Sequence, residues 1–298
     1  MLRRGEKTGP PPILAYKRSI LDPGLRRIVP SISRLTYSPL FRVAINALSW
    51  MAALPFPELR RLPPAHLRAR VGTGNRILFN HFYYYANSIW YWFDNFSRGL
   101  VNLSSSVVEI GCGCGRTLQH LHNTLEFSGT FTGIDIDQEM LDWCQKSFSR
   151  PGFRFIKSPH LNSSYSERTL AEFSENSTPA TRWRVPLDDN STDFVYSCSL
   201  LTHLLEEDVT NYLQESCRIL RPASPMRMSF FCVDWVEKGG RWNFTHKMGG
   251  AYVESLRVPE AAVAYRHEDI LRMCKEAGFA RVEFRPSTIQ SEVIAWKA

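Results

Sequence analysis

The sequence lacks any run of 18 or more apolar residues, which argues against a helix that spans a membrane. Its first residues also lack the continuous apolar segment and the small-residue cleavage site of a secretory signal, so we expect a cytoplasmic location. None of the seven cysteines stands in a Cys-x-x-Cys pair. We therefore predict reduced, buried thiols rather than disulfides. No metal ion is expected, because no cluster of histidines and carboxylates has ligand spacing.

Acidic residues are scarce at the start of the chain. Residues 1–76 contain 14 Lys and Arg against 3 Asp and Glu, a net charge of +11, whereas the whole chain of 298 residues carries +7. A basic arm of this kind can contact nucleic acid, an anionic membrane or an acidic substrate. Within it, residues 41–56 are apolar at roughly helical spacing, so this helix either packs on its own domain or lies on a membrane surface. Peripheral membrane contact through residues 1–76 is therefore an open alternative.

The composition is that of a globular protein, with 44% hydrophobic residues, and it changes along the chain. We predict three regions. Residues 1–76 form a basic helical extension, residues 77–103 hold an aromatic helix that covers the active site, and residues 104–298 form the main domain. The main domain contains an insert at about 234–265 that we expect to act as a cap.

From Ser106 onward, strand and helix patterns alternate, which is typical of a parallel sheet covered by helices on both faces. The last two strands follow each other without a helix, so they should form an antiparallel hairpin at the edge of the sheet. We predict strands at about 106–110, 130–135, 153–157, 193–198, 226–233, 280–285 and 291–297. We predict helices at about 115–126, 138–148, 206–220 and 266–278.

The central motif is a glycine-rich turn between the first strand and the first helix of this domain. Its three glycines, Gly111, Gly113 and Gly115, alternate with other residues directly after the strand. Glycine is needed where the backbone takes a positive φ or approaches a ligand closely, and a ligand above such a turn meets N–H groups at the helix start. The motif departs from the dinucleotide fingerprint G-x-G-x-x-G, because Arg116 stands where the third glycine is required.

Two acidic residues accompany the turn. Glu109 lies inside the apolar strand end, where a buried carboxylate is costly unless it meets a donor or a cation. The ammonium of a methionine group, relayed through turn amides or water, would meet that need. Asp135 ends the second strand, 20 residues after Gly115, where a carboxylate can accept hydrogen bonds from both ribose hydroxyls of an adenosine. The alternative for Asp135 is an N-cap of the following helix, a role that Asp137 could equally take.

With these residues the chain resembles the class I S-adenosylmethionine-dependent methyltransferases. VVEIGCGCGRT is similar to the first motif of that family, and TGIDIDQEML is similar to its second. The resemblance covers roughly residues 104–297, and within the family it points to a bacterial branch that shares the S-x-x-T-H segment of Ser199–His203. It implies an α/β fold with a doubly wound, seven-stranded, mostly parallel sheet in the Rossmann-like methyltransferase order, and S-adenosyl-L-methionine as the cofactor.

The resemblance also implies roles for individual residues. The three glycines would line the methionine part, Asp135 would hold the ribose, and Ile136 and Met140 would flank the adenine. The segment Ser197–Leu204 resembles the end of the fourth strand, where the sheet opens a crevice for ligands. The resulting cofactor-binding set is Glu109, Gly111, Cys112, Gly113, Gly115, Arg116, Asp135, Ile136, Met140, Asn162, Cys198 and Ser199.

Two positions depart from the family pattern. The glycine pair expected after Arg218–Pro222 is Ala223-Ser224, so the conformation of that turn stays open. Asn162 lies where many relatives carry an aspartate for the adenine amino group. Either its side-chain oxygen or a backbone carbonyl would take over that contact.

His203 follows the fourth strand on the cofactor side of the sheet and is the candidate catalytic base, because imidazole titrates near neutral pH. The alternative is a histidine that hydrogen-bonds Ser199 or Thr202 and only shapes the pocket. We expect acceptor contacts from the aromatic helix and from the insert, where aromatic rings can also stabilise a sulfonium. These candidates are His81, Tyr84, Tyr85, Trp235, Phe244 and His246.

The sequence thus predicts methyl transfer to an oxygen or nitrogen of a small-molecule or glycan acceptor by in-line displacement. A nicotinamide-dependent oxidoreductase is disfavoured by Arg116. A binding module that keeps the cofactor fold and docks membrane or nucleic acid through its basic arm is disfavoured by the intact Glu109, glycines, Asp135 and His203. We do not expect nucleic acid to be the partner.

Overall fold

The structure is a computed structural model that describes residues 38–71, 81–123, 125–159, 183–237, 240 and 242–298. The chain separates into two compact units. Among the described residues, the first unit holds 38–60 and 64–71, and the second holds 61–63 and everything from residue 81 onward.

The first unit contains two helices, α1 (Pro39–Ala53) and α2 (Ala65–Arg68). Proline in the first turn suits a helix start, because the N–H that it lacks would have no partner within the helix. The two helices meet through polar side chains, with Arg42 and Asn46 of α1 on the ring of His66 in α2. In the part of the chain that the structure describes, no helix is both long and apolar enough to cross a membrane.

The second unit contains the sheet and five helices among its described residues. The strands are β1 (Ser106–Ile110), β2 (Thr130–Asp135), β3 (Phe153–Lys157), β4 (Phe194–Ser197), β5 (Pro225–Cys232), β6 (His246–Met248), β7 (Ala251–Val253), β8 (Val263–Tyr265), β9 (Phe279–Arg285) and β10 (Ser291–Lys297). The helices are α3 (His81–Ser97), α4 (Leu118–Asn123), α5 (Gln138–Ser147), α6 (Glu206–Ile219) and α7 (His267–Glu276).

Seven of these strands form the predicted doubly wound sheet, in the order β3-β2-β1-β4-β5-β10-β9. The first five run parallel, whereas β10 is antiparallel to both β5 and β9. The predicted α/β class, the mostly parallel sheet and the terminal hairpin are confirmed. The predicted count of seven strands was too low, because the insert contributes β6, β7 and β8, and β8 pairs with the end of β5 through Ala264 and Phe231.

The strands of this sheet are apolar on both faces, as parallel strands between two helical layers must be. In β1, Val107 and Val108 are each 1% exposed, but they belong to two different hydrophobic clusters on opposite faces of the sheet. The same alternation places Phe194 and Val195 of β4 on opposite faces. The central strands therefore have no face open to water, and ligands can approach their carboxyl ends instead.

Two local details differ from the sequence-based expectation. Helix α4 begins at Leu118 rather than near 115, because the glycine turn continues through Thr117 before regular helix starts. The turn at Ala223 adopts a left-handed conformation with φ 61°, and its N–H donates to the Lys297 carbonyl at 3.2 Å. Alanine therefore takes the conformation that glycine would take there, which answers the question left open by the Ala223-Ser224 departure.

Candidate active site

The glycine turn after β1 is built on positive φ values of 78° at Gly111, 52° at Gly113 and 75° at Gly115. The amides of Gly111 and Cys112 both donate to the Ile134 carbonyl, at 2.8 and 3.1 Å, which holds the turn against the end of β2. L-residues with a Cβ rarely adopt such φ values, so the three glycines allow the chain to wind tightly at the carboxyl end of the sheet.

Asp135 at the end of β2 is tied to this turn. Its Oδ2 accepts the Gly113 amide at 2.7 Å, and its Oδ1 accepts the Asp137 amide at 2.9 Å. Burial raises the pKa of Asp135 to about 6, although these backbone donors oppose the increase. A carboxylate has about four acceptor positions, so both oxygens keep the capacity to accept hydroxyl groups.

The structure separates the two roles that the sequence left open for Asp135. Asp137 is the N-cap of α5, since its side chain accepts the amides of Glu139 and Met140. Asp135 instead accepts the Gly113 amide of the glycine turn and lies two residues before this N-cap. Asp137 is therefore the residue that caps α5, and the carboxylate of Asp135 is not needed for that cap.

Glu109 lies beneath the turn and is 2% exposed. The Thr117 hydroxyl lies 2.8 Å from both of its carboxyl oxygens, and the Tyr196 hydroxyl donates to Oε2 at 2.9 Å. Burial raises the pKa of Glu109 to about 8, so the group is largely protonated at neutral pH. The sequence suggested that a ligand would have to donate a hydrogen bond to Glu109. The hydroxyl groups of Thr117 and Tyr196 supply these donors within the chain.

Helix α3 also contacts the turn. Ser88 Oγ and Trp92 Nε1 both donate to the Thr117 carbonyl, at 2.7 and 2.6 Å. The two residues are four positions apart and therefore share one face of the helix. Sequence reasoning selected aromatic residues earlier in this helix and missed Ser88 and Trp92, although their spacing was a usable signal.

The loop after β4 lies beside the turn, since a Cβ on Gly111 would come within 3.4 Å of Leu200. Ser199 in this loop has a left-handed conformation with φ 69°. Its amide donates to Ser229 Oγ at 2.7 Å, and its hydroxyl donates to Gln290 Oε1 at 2.9 Å. A non-glycine residue at positive φ costs free energy and persists where its surroundings hold it. Neither Ser229 nor Gln290 was predicted from the sequence. The neighbouring Cys198 is partly exposed, and burial raises the pKa of its thiol to about 12.

His203 ends a short 3₁₀ turn, Leu201–His203, in the same loop. Its Nδ1 lies 2.9 Å from the carbonyl oxygen of Glu260, which belongs to the insert. A hydrogen bond to that carbonyl requires a proton on Nδ1, and it places the basic lone pair of a neutral ring on Nε2. Burial lowers the pKa of His203, so the ring is neutral at pH 7.

A family model described as "Methyltransferase domain" matches residues 108–226, which run from β1 to the start of β5. Residues 108–226 form a methyltransferase domain. The class I, S-adenosylmethionine-dependent type predicted from the two motifs is confirmed, and S-adenosylmethionine is the cofactor of such domains.

The methyltransferase domain also has similarity to solved structures. A SAM-dependent methyltransferase from Methanosarcina mazei is 19% identical over 68% of this chain and 96% of that chain, with a TM-score of 0.47. A SAM-dependent methyltransferase from Aquifex aeolicus is 18% identical over 69% and 89%, with a TM-score of 0.42. Because both scores lie below 0.5, the assignment of the domain rests on the family model and on the strand order.

The remaining cofactor candidates lie around the turn of the methyltransferase domain. Cys112 and Met140 are buried, and Ile136 and Arg116 are partly exposed. The guanidinium of Arg116 lowers the pKa of Glu109 and of Cys198, against the larger effect of burial. Asn162 lies outside the described residues.

The acceptor candidates fall into two groups. His81, Tyr84 and Tyr85 lie in the first turns of α3, and their side chains are outside the described part of the chain. In the insert, the ring of Phe244 packs on that of Phe231 with 5.3 Å between the ring centroids, whereas Trp235 and His246 are exposed. Among the described residues, no group of three His, Cys, Asp or Glu side chains is arranged to hold a metal ion.

Proposed function

We propose that this chain transfers a methyl group from S-adenosylmethionine to an oxygen or nitrogen atom of a small-molecule or glycan acceptor. The observation that carries the proposal is the 2.7 Å hydrogen bond from the Gly113 amide to Asp135. It fixes a partly buried carboxylate beside a glycine turn, at the carboxyl end of neighbouring parallel strands. Ligands of open α/β sheets bind at this edge.

The residues fit the cofactor. Asp135 has acceptor capacity for two ribose hydroxyls, and the positive-φ turn brings backbone close to a ligand without a Cβ between them. Met140 is a buried apolar side chain at the start of α5, where an adenine could pack. The proposed binding set remains Glu109, Gly111, Cys112, Gly113, Gly115, Arg116, Asp135, Ile136, Met140, Asn162, Cys198 and Ser199.

When bound, the cofactor supplies an electrophilic methyl group on a sulfonium. The protein's task is then to hold the acceptor in line with the methyl–sulfur bond, and orientation of this kind lowers barriers by about 7–11 kcal/mol. The hydrogen bonds from Ser199 to Ser229 and Gln290 hold the loop after β4 in place, which helps to orient the acceptor. Glu109, Thr117 and Tyr196 support the turn from below.

His203 is the proposed base for an acceptor hydroxyl or protonated amine. The Glu260 carbonyl orients the ring, and burial favours its neutral form, which can accept a proton. General base catalysis contributes about 10²–10⁴-fold to a rate. The contact with Glu260 also joins the base to the insert, so the insert takes part in placing the base.

The insert supports a small-molecule or glycan acceptor. Its strand β8 pairs with Phe231 and Cys232 at the carboxyl end of β5, the same sheet edge that holds the glycine turn. Trp235 lies at the start of this insert with an exposed indole ring. A cap over one edge of the sheet encloses a small ligand more readily than a folded protein.

Calorimetry with S-adenosylhomocysteine tests cofactor binding. We expect binding by the wild type, at least 100-fold weaker binding by Asp135→Ala, and a change below threefold in Asp137→Ala, because Asp137 caps α5 without serving the ligand. Titration with NAD should give no heat. Equal affinities for Asp135→Ala and wild type would contradict the proposed ribose contact.

The pH dependence of the same titration gives a second test. Because the pKa of Asp135 is raised to about 6, its carboxylate is ionised above that pH and protonated below it. We expect affinity to fall about tenfold between pH 7 and pH 5, since binding requires the ionised form. Glu109 stays largely protonated over this interval because its pKa is about 8. Asp135→Asn should remove the pH dependence.

A labelled-methyl assay against small-molecule and glycan extracts, read by mass spectrometry, tests transfer itself. His203→Ala should reduce turnover at least tenfold while the affinity for S-adenosylhomocysteine changes less than twofold. Unchanged turnover would leave His203 with a role in pocket shape. Tight cofactor binding without any transfer would instead favour a non-catalytic binding module.

A further inference from the structure

Helix α1 of the first unit turns its polar side toward its neighbour. Arg42 Nη2 donates to His66 Nε2 at 2.9 Å, and the Asn46 amide nitrogen lies 2.9 Å from the other ring nitrogen of His66. Arg68 Nη2 donates to Ser49 Oγ at 2.6 Å. Positions 42, 46 and 49 share one face of a helix with 3.6 residues per turn. This polar face is the one that packs on α2.

The opposite face of α1 is apolar and exposed. Leu40 is 84% exposed and Val43 is 70% exposed, and the same side continues with apolar residues to the end of the helix and just beyond it. The exposed large apolar residues of this segment are Leu40, Val43, Leu48, Trp50, Met51, Leu54 and Phe56, which we call the α1 apolar face. Two alanines, Ala44 and Ala47, fill the space between them.

This orientation is the reverse of that in a helix that folds onto its own core. Such a helix buries its apolar stripe and exposes its polar side. In α1 the buried residues are Ser49 and Ala53, which offer little apolar area, whereas five large apolar side chains of the helix are exposed and two more follow it. A contiguous apolar patch of this size on a protein surface marks a contact with a partner or with lipid.

The composition of the surrounding sequence indicates the chemistry of the partner. Residues 38–57 contain no Asp or Glu, and residues 1–76 carry 14 Lys and Arg against 3 Asp and Glu. A basic segment with an apolar helix face and aromatic residues is typical of interfacial helices on anionic membranes. The indole of Trp50 has an apolar body and a polar N–H, and such a ring favours the headgroup region.

We propose that the α1 apolar face docks on an anionic lipid surface, with the helix in the plane of the interface. The inference is independent of methyl transfer. A second copy of the chain is a weaker fit, because two segments with a net charge of +11 would repel each other. Nucleic acid is also a weaker fit, because phosphates and bases offer no partner for Leu40, Val43 and Met51.

Vesicle flotation with the full-length protein tests the proposal. The vesicles contain phosphatidylcholine with 30% phosphatidylserine, and pure phosphatidylcholine vesicles serve for comparison. We expect at least tenfold more protein on the anionic vesicles. The triple variant Val43→Gln, Leu48→Gln, Met51→Gln should bind at least tenfold less than the wild type. A matched variant with three exposed apolar residues of the second unit replaced, Leu103→Gln, Leu256→Gln and Ile289→Gln, should bind like the wild type.

Thermal unfolding and S-adenosylhomocysteine affinity of both variants show that they are folded. Wild-type protein that does not float with anionic vesicles would overturn the proposal. So would equal flotation of the wild type and the α1 variant, or a wild-type dimer that the α1 variant converts to a monomer without any change in lipid binding. Salt-sensitive binding to duplex DNA or RNA in the absence of vesicle binding would also overturn it.

Discussion

Helix α1 of the first unit and the sheet of the second unit distribute their apolar residues in opposite ways. In the sheet of the second unit, the side chains of Phe131, Phe194 and Ile294 are fully buried between the strands and the helices that cover them. In the first unit, α1 buries Ser49 and exposes Leu40 and Val43. One sequence therefore contains a region that buries its apolar side chains and a helix that leaves them exposed to solvent.

This difference indicates where the folding free energy of the chain arises. Each large apolar side chain that is fully buried contributes about 1.5–3 kcal/mol, and the sheet buries many of them. The outward residues of α1 contribute little to folding, so their composition reflects contact with something outside the chain. Six substitutions test the comparison, and their expected effects decrease from the core of the sheet to the α1 apolar face.

The largest effect is expected in the core of the sheet. Phe131 is 0% exposed and contacts the rings of Phe153 and Phe155. Phe131→Ala should lower the free energy of unfolding by about 3–5 kcal/mol, because it removes apolar burial and leaves a cavity. Urea denaturation followed by circular dichroism measures the change. A loss below about 1 kcal/mol would contradict the assignment of this residue to the core.

The glycine turn should tolerate no side chain at Gly115. A Cβ there would lie 2.4 Å from the Phe148 ring, at a φ of +75°. Gly115→Ala should cost roughly 2–4 kcal/mol from backbone strain and overpacking. The matched control is Gly99→Ala, which shares a positive φ of +66° but meets no described atom within 4 Å. The two losses of unfolding free energy should therefore differ by the packing contribution, and equal losses would mean that Phe148 moves aside.

Replacing an N-cap residue should change the free energy of unfolding less than the core substitutions do, and one N-cap is compared in each unit. Asp137 caps α5 with its side chain, and its replacement by alanine should cost about 1 kcal/mol in the free energy of unfolding. Ser38 precedes α1 without a side-chain cap hydrogen bond among the described residues. Ser38→Ala should therefore change the free energy of unfolding by less than about 0.3 kcal/mol. A larger loss for Ser38→Ala would reveal a capping contact of the first unit.

Substitution on the α1 apolar face should also have little effect on stability. Leu48→Gln should change the free energy of unfolding by less than about 0.5 kcal/mol, because the side chain is 50% exposed. The same denaturation measurement applies, with Phe131→Ala as the reference for a core position. A loss above about 2 kcal/mol for Leu48→Gln would mean that another part of the chain covers this face, and the contrast between the units would disappear.

The sheet, and the glycine turn at the carboxyl ends of its parallel strands, could be predicted from the sequence for a physical reason. Strands between two helical layers are continuous apolar runs, and a turn that requires positive φ leaves glycines directly after such a run. Both signals are local, as at Val107–Ile110 followed by Gly111. Asp135 was found in the same way, because its place at the end of the second strand is a local feature.

Tyr196 as a partner of Glu109, and Ser229 and Gln290 as partners of Ser199, were not found, because they lie far away in the sequence. Tyr196 is 87 residues from Glu109, and the two become neighbours through the parallel register of β1 and β4. Gln290 is 91 residues from Ser199. A single sequence does not state which distant residues pair, so such contacts require the strand register.

The strands of the insert were missed for another reason. Each of β6, β7 and β8 has three residues, which is too short for alternation of apolar and polar side chains to be recognised. Their pairing with one another and with the end of β5 gives them a structure that no single segment specifies.

The hydrogen bonds from Ser88 and Trp92 to the Thr117 carbonyl have a practical consequence for protein production. A fragment cut at the family boundary, near residue 108, would leave that carbonyl without its two donors and would open the site that Trp92 fills. A buried acceptor without partners costs about 1–3 kcal/mol, and loss of the indole costs more. A shortened expression fragment should therefore begin before His81, where α3 starts.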